Sequence, residues 1–228
     1  MSKSNKPLTV VAFGARGTGK THWCREYIEG LKPQRLIVWD FKNDPGLSGL
    51  AKPYTSLPEF IKSLSAPRFA SRYLVDHSGR LPIQKQFDFF CRAAWEAGCL
   101  LMYVPELPEV TRAGSAPDAW RRCVNVGREY QDKGKLKWLS IVADGQRPAE
   151  VDKSIISNAD VIHSGRLAFL DDAKYMAKSI NCTPQELMAL PDWHWIERRP
   201  GAFEPVRGGP ATPSAKKITP RKRAVKAA

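Results

Sequence analysis

No stretch of the chain approaches the roughly 18 consecutive apolar residues that a membrane-spanning helix needs. The start, Met1 to Pro7, has no apolar segment of the kind a secretory signal carries. Neither secretion nor membrane insertion is expected. Cysteines are few: Cys24, Cys91, Cys99, Cys123 and Cys182 are dispersed, and no two stand as C-x-x-C. The histidines, His22, His77, His163 and His194, show no H-x₃-H spacing. An odd, scattered set of this kind reads as reduced intracellular thiols, not as a disulfide framework or a Cys/His metal site. No internal repeat is present. Acidic residues are missing from 207–228, which carries Arg207, Lys216, Lys217, Arg221, Lys222, Arg223 and Lys226. A basic, Pro/Gly/Ala-rich end without apolar periodicity suits a disordered arm for polyanions, the plainer alternative being a solubilising tail.

What is present suffices for a core. The 228 residues are 43% hydrophobic and 26% charged, and 36 basic against 23 acidic side chains leave a net charge of +13. Residues 1–206 form one expected α/β domain and 207–228 the basic tail. Short apolar runs alternate with helical patterns. Strands are expected at Leu8–Phe13, Arg35–Asp40, Arg72–Val75, Cys99–Val104, Trp138–Ala143 and Asp160–His163. Helices are expected from Gly19 to Gly30, after the capping box at Ser56, and over Pro82–Ala97, Pro117–Lys133, Pro148–Asn158 and Leu170–Ser179. A last short helix opens at Thr183, and Trp193–Val206 is expected as a hairpin or an irregular edge. Strands apolar throughout and separated by helices predict a mostly parallel sheet covered on both faces. Ligands in such sheets bind beyond the carboxyl ends of the strands.

The informative residues fall on that edge. Gly14, Ala15, Arg16, Gly17, Thr18, Gly19, Lys20 and Thr21 satisfy G-x-x-x-x-G-K-S/T between a predicted strand and a predicted helix. Glycines let the backbone turn its N–H groups inward as an anion nest, and the helix N-terminus adds positive potential. Lys20 is then expected on the β- and γ-phosphates of ATP, and the Thr21 hydroxyl on Mg²⁺. Hydrolysis also needs an acid after another strand. That strand usually ends in Asp-Glu, but here it ends in Pro105-Glu106, so the aspartate is missing. Glu106 stands where a general base would, with Glu109 as the alternative. Asp40, at the end of its own strand, is the candidate to replace the missing metal acid through water; otherwise it caps a helix or pairs with Lys42.

A second signature is longer. Gly127-Arg128-Glu129, followed by Trp138 to Asp144 and then Gly145-Gln146-Arg147-Pro148-Ala149, resembles the FtsK–HerA superfamily of DNA-pumping ATPases. Those proteins show G-R-K/E near a helix end and then a strand closing on Q-R-P-S/A. The likeness spans roughly residues 8–175, and the chain length is similar to the packaging ATPases of tailless, membrane-containing bacteriophages. The resemblance implies a RecA-like P-loop fold of the additional-strand, catalytic-glutamate type. It implies Gln146 as the sensor beside the γ-phosphate, or else a cap of the following helix. Arg128 would complete a neighbouring subunit's site in a hexameric or pentameric ring, with Arg147 and Arg166 as competitors. The Leu107–Ala119 loop, with Arg112, would face DNA in the channel, and Lys216, Lys217, Arg221, Lys222 and Arg223 would hold its phosphates.

The leading expectation is therefore an ATPase that packages a viral double-stranded DNA genome into a preformed capsid. It would work at a capsid vertex or portal, in the host cytoplasm during assembly or retained in the virion. The filamentous-phage assembly ATPases, similar to the zonula occludens toxin family and acting on single-stranded DNA, are an alternative. So are a weakly hydrolysing nucleotide switch at a capsid vertex and a small-molecule kinase. The seven tryptophans need no base-stacking role, since Trp39 in a strand and Trp95 on a helix read as core.

Overall fold

Every residue of Thr9–Phe13 and of Leu100–Val104 is buried, which is what strands covered on both faces require. The structure, a computed structural model, describes residues 6–210. Its strands in chain order are β1 (Thr9–Phe13), β2 (Arg35–Asp40), β3 (Lys52–Tyr54), β4 (Phe69–Leu74), β5 (Leu100–Val104) and β6 (Tyr130–Asp132). They continue with β7 (Lys135–Lys137), β8 (Leu139–Gly145), β9 (Val161–Ser164), β10 (Trp195–Arg198) and β11 (Val206–Gly208). The helices are α1 (Lys20–Leu31), α2 (Leu57–Ser63), α3 (Ile83–Ala97), α4 (Asp118–Val126), α5 (Lys153–Ser157), α6 (Leu170–Ile180) and α7 (Pro184–Ala189).

Nine strands form one sheet in the order β11-β10-β9-β1-β8-β5-β2-β4-β3. From β9 to β3 all neighbours are parallel, and β10 and β11 add an antiparallel edge. Strand β8 lies between β1 and β5, pairing Ala12 with Asp144 on one side and Val104 with Ala143 on the other. This inserted strand is the additional-strand arrangement expected from the resemblance.

Period-two alternation divides the side chains between two cores. Val11, Phe13, Ile37, Trp39, Leu100, Met102 and Val104 enter one, under α3, α4 and α6. Val10, Ala12, Leu36, Val38, Leu101 and Tyr103 enter the other, under Cys24 and Ile28 of α1. Helix α3 buries Phe87, Phe90, Cys91 and Ala94 at helical spacing, and Gly98 closes it with φ 56, where a Cβ would be strained. Phe87 and Phe90 meet Trp39 at ring separations of 5.0 and 5.4 Å, each burial contributing about 1.5–3 kcal/mol. Trp39 and Trp95 are core, as expected. The Ser56 and Thr183 hydroxyls cap α2 and α7, the second in a full capping box.

Two expected helices are shorter than expected. The run Pro117–Lys133 is helical only to Val126; the chain then forms the β6–β7 hairpin about Lys133-Gly134, with φ of 50° and 73°. Paired positive φ values are the geometry of a tight hairpin turn, and they override the helical pattern. The run Pro148–Asn158 divides into a 3₁₀ turn at Pro148–Glu150 and α5, because the Asp152 side chain caps Ser154 N–H at 2.8 Å and restarts the helix there. At the far end, β11 crosses the 206/207 boundary. Arg207, read as part of the tail, pairs with Ile196 in the sheet and with Glu186 at 2.7 Å.

Candidate nucleotide site at the carboxyl edge

The turn after β1 is a cage of backbone. Gly17 and Gly19 have φ of 82° and 87°, values that only glycine adopts freely. Thr18 Oγ1 donates to the Ala15 carbonyl at 2.8 Å, and Lys20 Nζ donates to the same oxygen at 3.0 Å. Ala15 N–H donates to Arg166 O at 2.7 Å, which anchors the loop to the segment after β9. Helix α1 starts at Lys20 with no side-chain cap, so no capping side chain takes up its first N–H groups. Beside it lies a cavity of about 1110 Å³ lined by Arg16, Gly17, Gly19, Lys20, Thr21, Lys42, Glu106, Asp144 and Gln146, among others. Lys20, Thr21, Glu106 and Gln146 are thus brought together from β1, β5 and β8. Burial lowers the Lys20 pKa, while Asp144 and Glu106 oppose that shift.

Glu106 follows β5 in the left-handed region, φ 53 and ψ 45, a conformation uncommon for a residue with a Cβ. Its carboxylate accepts from Lys42 Nζ at 2.7 Å and is 26% exposed in the side chain. Glu109, the alternative base, is exposed and is not among the cavity's lining residues.

Asp40, the expected metal acid, is not among the residues lining the cavity. Its carboxylate is buried, ion-paired with Arg72 at 3.2 Å, and accepts Asp44 N–H at 3.0 Å. It braces β2 to β4 and to the following loop, and the Lys42 expected beside it goes to Glu106. The acid that faces the loop is Asp144, at the end of β8. It is 2% exposed, accepts Tyr103 O–H at 2.6 Å and Glu106 N–H at 3.3 Å, and burial pushes its pKa up to about 6. Among the described residues no group of three or more His, Cys, Asp or Glu is arranged to hold a metal ion. The donors at hand, the Thr21 hydroxyl with Asp144 and Glu106 in the same cavity, fit a Mg²⁺ that keeps most of its ligands as phosphate oxygen and water.

Arg112, Arg128, Arg147 and Arg166 are not among the cavity's lining residues. Arg128 donates to Asp160 Oδ2 at 2.6 Å, and that oxygen also accepts Thr9 N–H at 2.8 Å. Thr9 opens β1, so Arg128 is at the amino end of the sheet, opposite the loop. Arg147 donates to Asp172 at 2.7 Å, pairs with Glu150 at 2.9 Å and lies over Phe169. Arg166 pairs with Asp192 at 2.6 Å. Arg112 donates to the carbonyls of Pro108 and Thr111, within an exposed turn closed on Ser115. Lys216, Lys217, Arg221, Lys222 and Arg223 lie outside the described residues.

Asp144, Lys42 and Trp193 line the cavity and were not named for it by the sequence reading. Asp144 had a signal, an acid closing a buried strand two positions before Gln146. Lys42 and Trp193 had none, because loop geometry alone brings them to the cavity.

No protein-family model matches the chain. It is 26% identical over 185 residues to Protein P9 of Pseudoalteromonas phage PM2, covering 79% of this chain and 78% of that protein. Among solved structures, the genome packaging NTPase B204 of Sulfolobus turreted icosahedral virus 2, in complex with AMPPCP, matches with a TM-score of 0.69 at 15% identity, over 91% of this chain and 100% of the other. The bacterial conjugative coupling protein TrwB matches with a TM-score of 0.62 at 11% identity, over 90% of this chain and 84% of the other. The fold is that of these two proteins, in keeping with the fold that the FtsK–HerA resemblance implies.

Proposed function

We propose that this protein is an ATPase that drives double-stranded DNA into a preformed viral capsid, acting as a homo-oligomeric ring at a capsid vertex or portal in the host cytoplasm. The observation that carries the reading is the convergence of Lys20, Thr21, Glu106, Asp144 and Gln146 on one cavity at the carboxyl edge of the sheet. The likeness to B204 and TrwB supports a packaging or translocating NTPase. Among the described residues no helix is long and apolar enough to cross a membrane.

In this reading the inward N–H groups of the loop and the Lys20 ammonium hold the triphosphate. The Thr21 hydroxyl and Asp144 would hold Mg²⁺, which supplies charge neutralisation at the β- and γ-oxygens. Glu106 takes the proton of the attacking water and Gln146 orients it. Lys42 positions Glu106 until nucleotide enters. Arg128, exposed on the far edge, is the guanidinium offered to a neighbouring subunit, and Arg112 with the basic tail meets DNA phosphates.

ATP turnover with and without double-stranded DNA tests this. Glu106→Gln should lose at least about 100-fold in turnover while binding ADP as the wild type does. Near-normal turnover in that variant would remove Glu106 from the chemistry. A second reading, a nucleotide-dependent switch, is favoured by Pro105 and by the Lys42–Glu106 ion pair at 2.7 Å. Negligible turnover of the wild type in every condition, DNA included, would select it.

A further inference from the structure

Beside the phosphate cavity lies a second, smaller one of about 250 Å³. Gly19, His22, Glu26 and Trp193 line both, so the two lie side by side at the start of α1. The smaller cavity is walled by aromatic rings. Trp23 is stacked on His163 at 3.9 Å between centroids, and Trp195 lies 5.4 Å from the same ring. At the neck, Trp193 and His22 meet edge-on at 5.6 Å.

Trp193 occupies an unusual position. It is 51% exposed although large and apolar, and its backbone is in the left-handed region at φ 65. Its ring covers Gly19 so closely that a Cβ there would lie 2.7 Å from Cε3. The turn that presents it is tied to the phosphate loop: Asp192 pairs with Arg166 at 2.6 Å, and the Arg166 carbonyl accepts Ala15 N–H at 2.7 Å. A strained, half-exposed indole fixed over the loop is costly unless something covers it.

The geometry points to this aromatic cavity as the nucleobase site, with Trp193 and His22 receiving the purine ring of the nucleotide whose phosphates Lys20 and Thr21 hold. The inference rests on the phosphate-loop reading and adds where the rest of the nucleotide goes. Phosphates seated at the N-terminus of α1 leave the ribose and base to continue along its first turn. His22 follows Thr21 directly, and the path leads into the smaller cavity. A flat heterocycle stacks on indole and imidazole faces without needing polar partners at each edge.

Equilibrium binding of Mg²⁺·ADP and of Mg²⁺·tripolyphosphate to the full chain tests the proposal. Trp193→Ala should weaken ADP by about tenfold or more, the range that base–aromatic stacking supplies, and leave tripolyphosphate unchanged. Trp193→Phe should restore most of the ADP affinity. Unchanged ADP affinity in Trp193→Ala overturns the base site. Equal weakening of both ligands also overturns it, because the indole would then only support the shape of the loop over Gly19. A wild type that binds tripolyphosphate no less tightly than ADP, with no change in tryptophan emission on ADP binding, overturns the base site but keeps the phosphate loop. A wild type that binds neither overturns both.

Discussion

Asp144 is a carboxylate placed where water cannot solvate it, and its displaced pKa links the chemistry of the site to the stability of the molecule. Folding raises the value from 3.8 to about 6, with burial as the main cause. Between those values the folded chain keeps a proton that the unfolded chain releases. The stabilisation this brings is complete below 3.8 and is lost as pH rises through about 6. A displacement of that size corresponds to about 3 kcal/mol. Asp144→Asn removes the titration, so the stability of the nucleotide-free wild type should fall relative to this variant between pH 4 and 7. Urea denaturation of both proteins at several pH values checks it, and a gap that stays constant with pH would place the strain elsewhere. The same substitution should abolish ATP turnover. Such an acid is hard to read from sequence. Gly14 to Thr21 form a contiguous motif, whereas Asp144 reaches the cavity only because β8 is inserted between β1 and β5. Asp40 shows the mirror case: its position at a strand end was legible, but its ion pair with Arg72 on the neighbouring β4 was not.

At the scale of elements, the runs that are buried on both faces were legible, since Arg35–Asp40 and Leu100–Val104 have no polar residue to spare until the edge. Amphipathic segments were legible in kind but not in length. The chain after α4 shows why. Gly127 sits at the helix end, where its N–H donates to Cys123 O at 3.0 Å, and a Cβ would lie 2.1 Å from that same oxygen. Its carbonyl then accepts Leu139 N–H at 2.7 Å, so the turn ties the end of α4 to the start of β8 across the intervening hairpin. Overpacking against backbone cannot be relieved by a rotamer change. Gly127→Ala should therefore destabilise the protein by about 2 kcal/mol or more, read as a lower urea midpoint. A midpoint equal to the wild type would mean that the turn adjusts freely and that the glycine of the Gly127-Arg128-Glu129 signature serves something other than packing.

For the molecule as a whole, charge and fold are distributed differently. The described strands, the cavity lining and the ion pair of Arg207 with Glu186 all fall within residues 6–210, while Lys216, Lys217, Arg221, Lys222, Arg223 and Lys226 follow with no acid among them. A chain ended after Pro210 keeps β11 and should keep its DNA-independent ATP turnover and its urea midpoint. Its DNA binding should change in a specific way. Each cation that releases a counterion from duplex DNA adds about 0.9 to the slope of log affinity against log salt. Losing this group should flatten the slope by up to about 5, with the largest loss of affinity at low salt. Titration of a labelled duplex from low to moderate salt separates the possibilities. A flattened slope assigns the tail to DNA. An unchanged slope with retained affinity moves the DNA contact to the Arg112 turn, and leaves the tail's charge for a different polyanion or for an acidic face on the capsid.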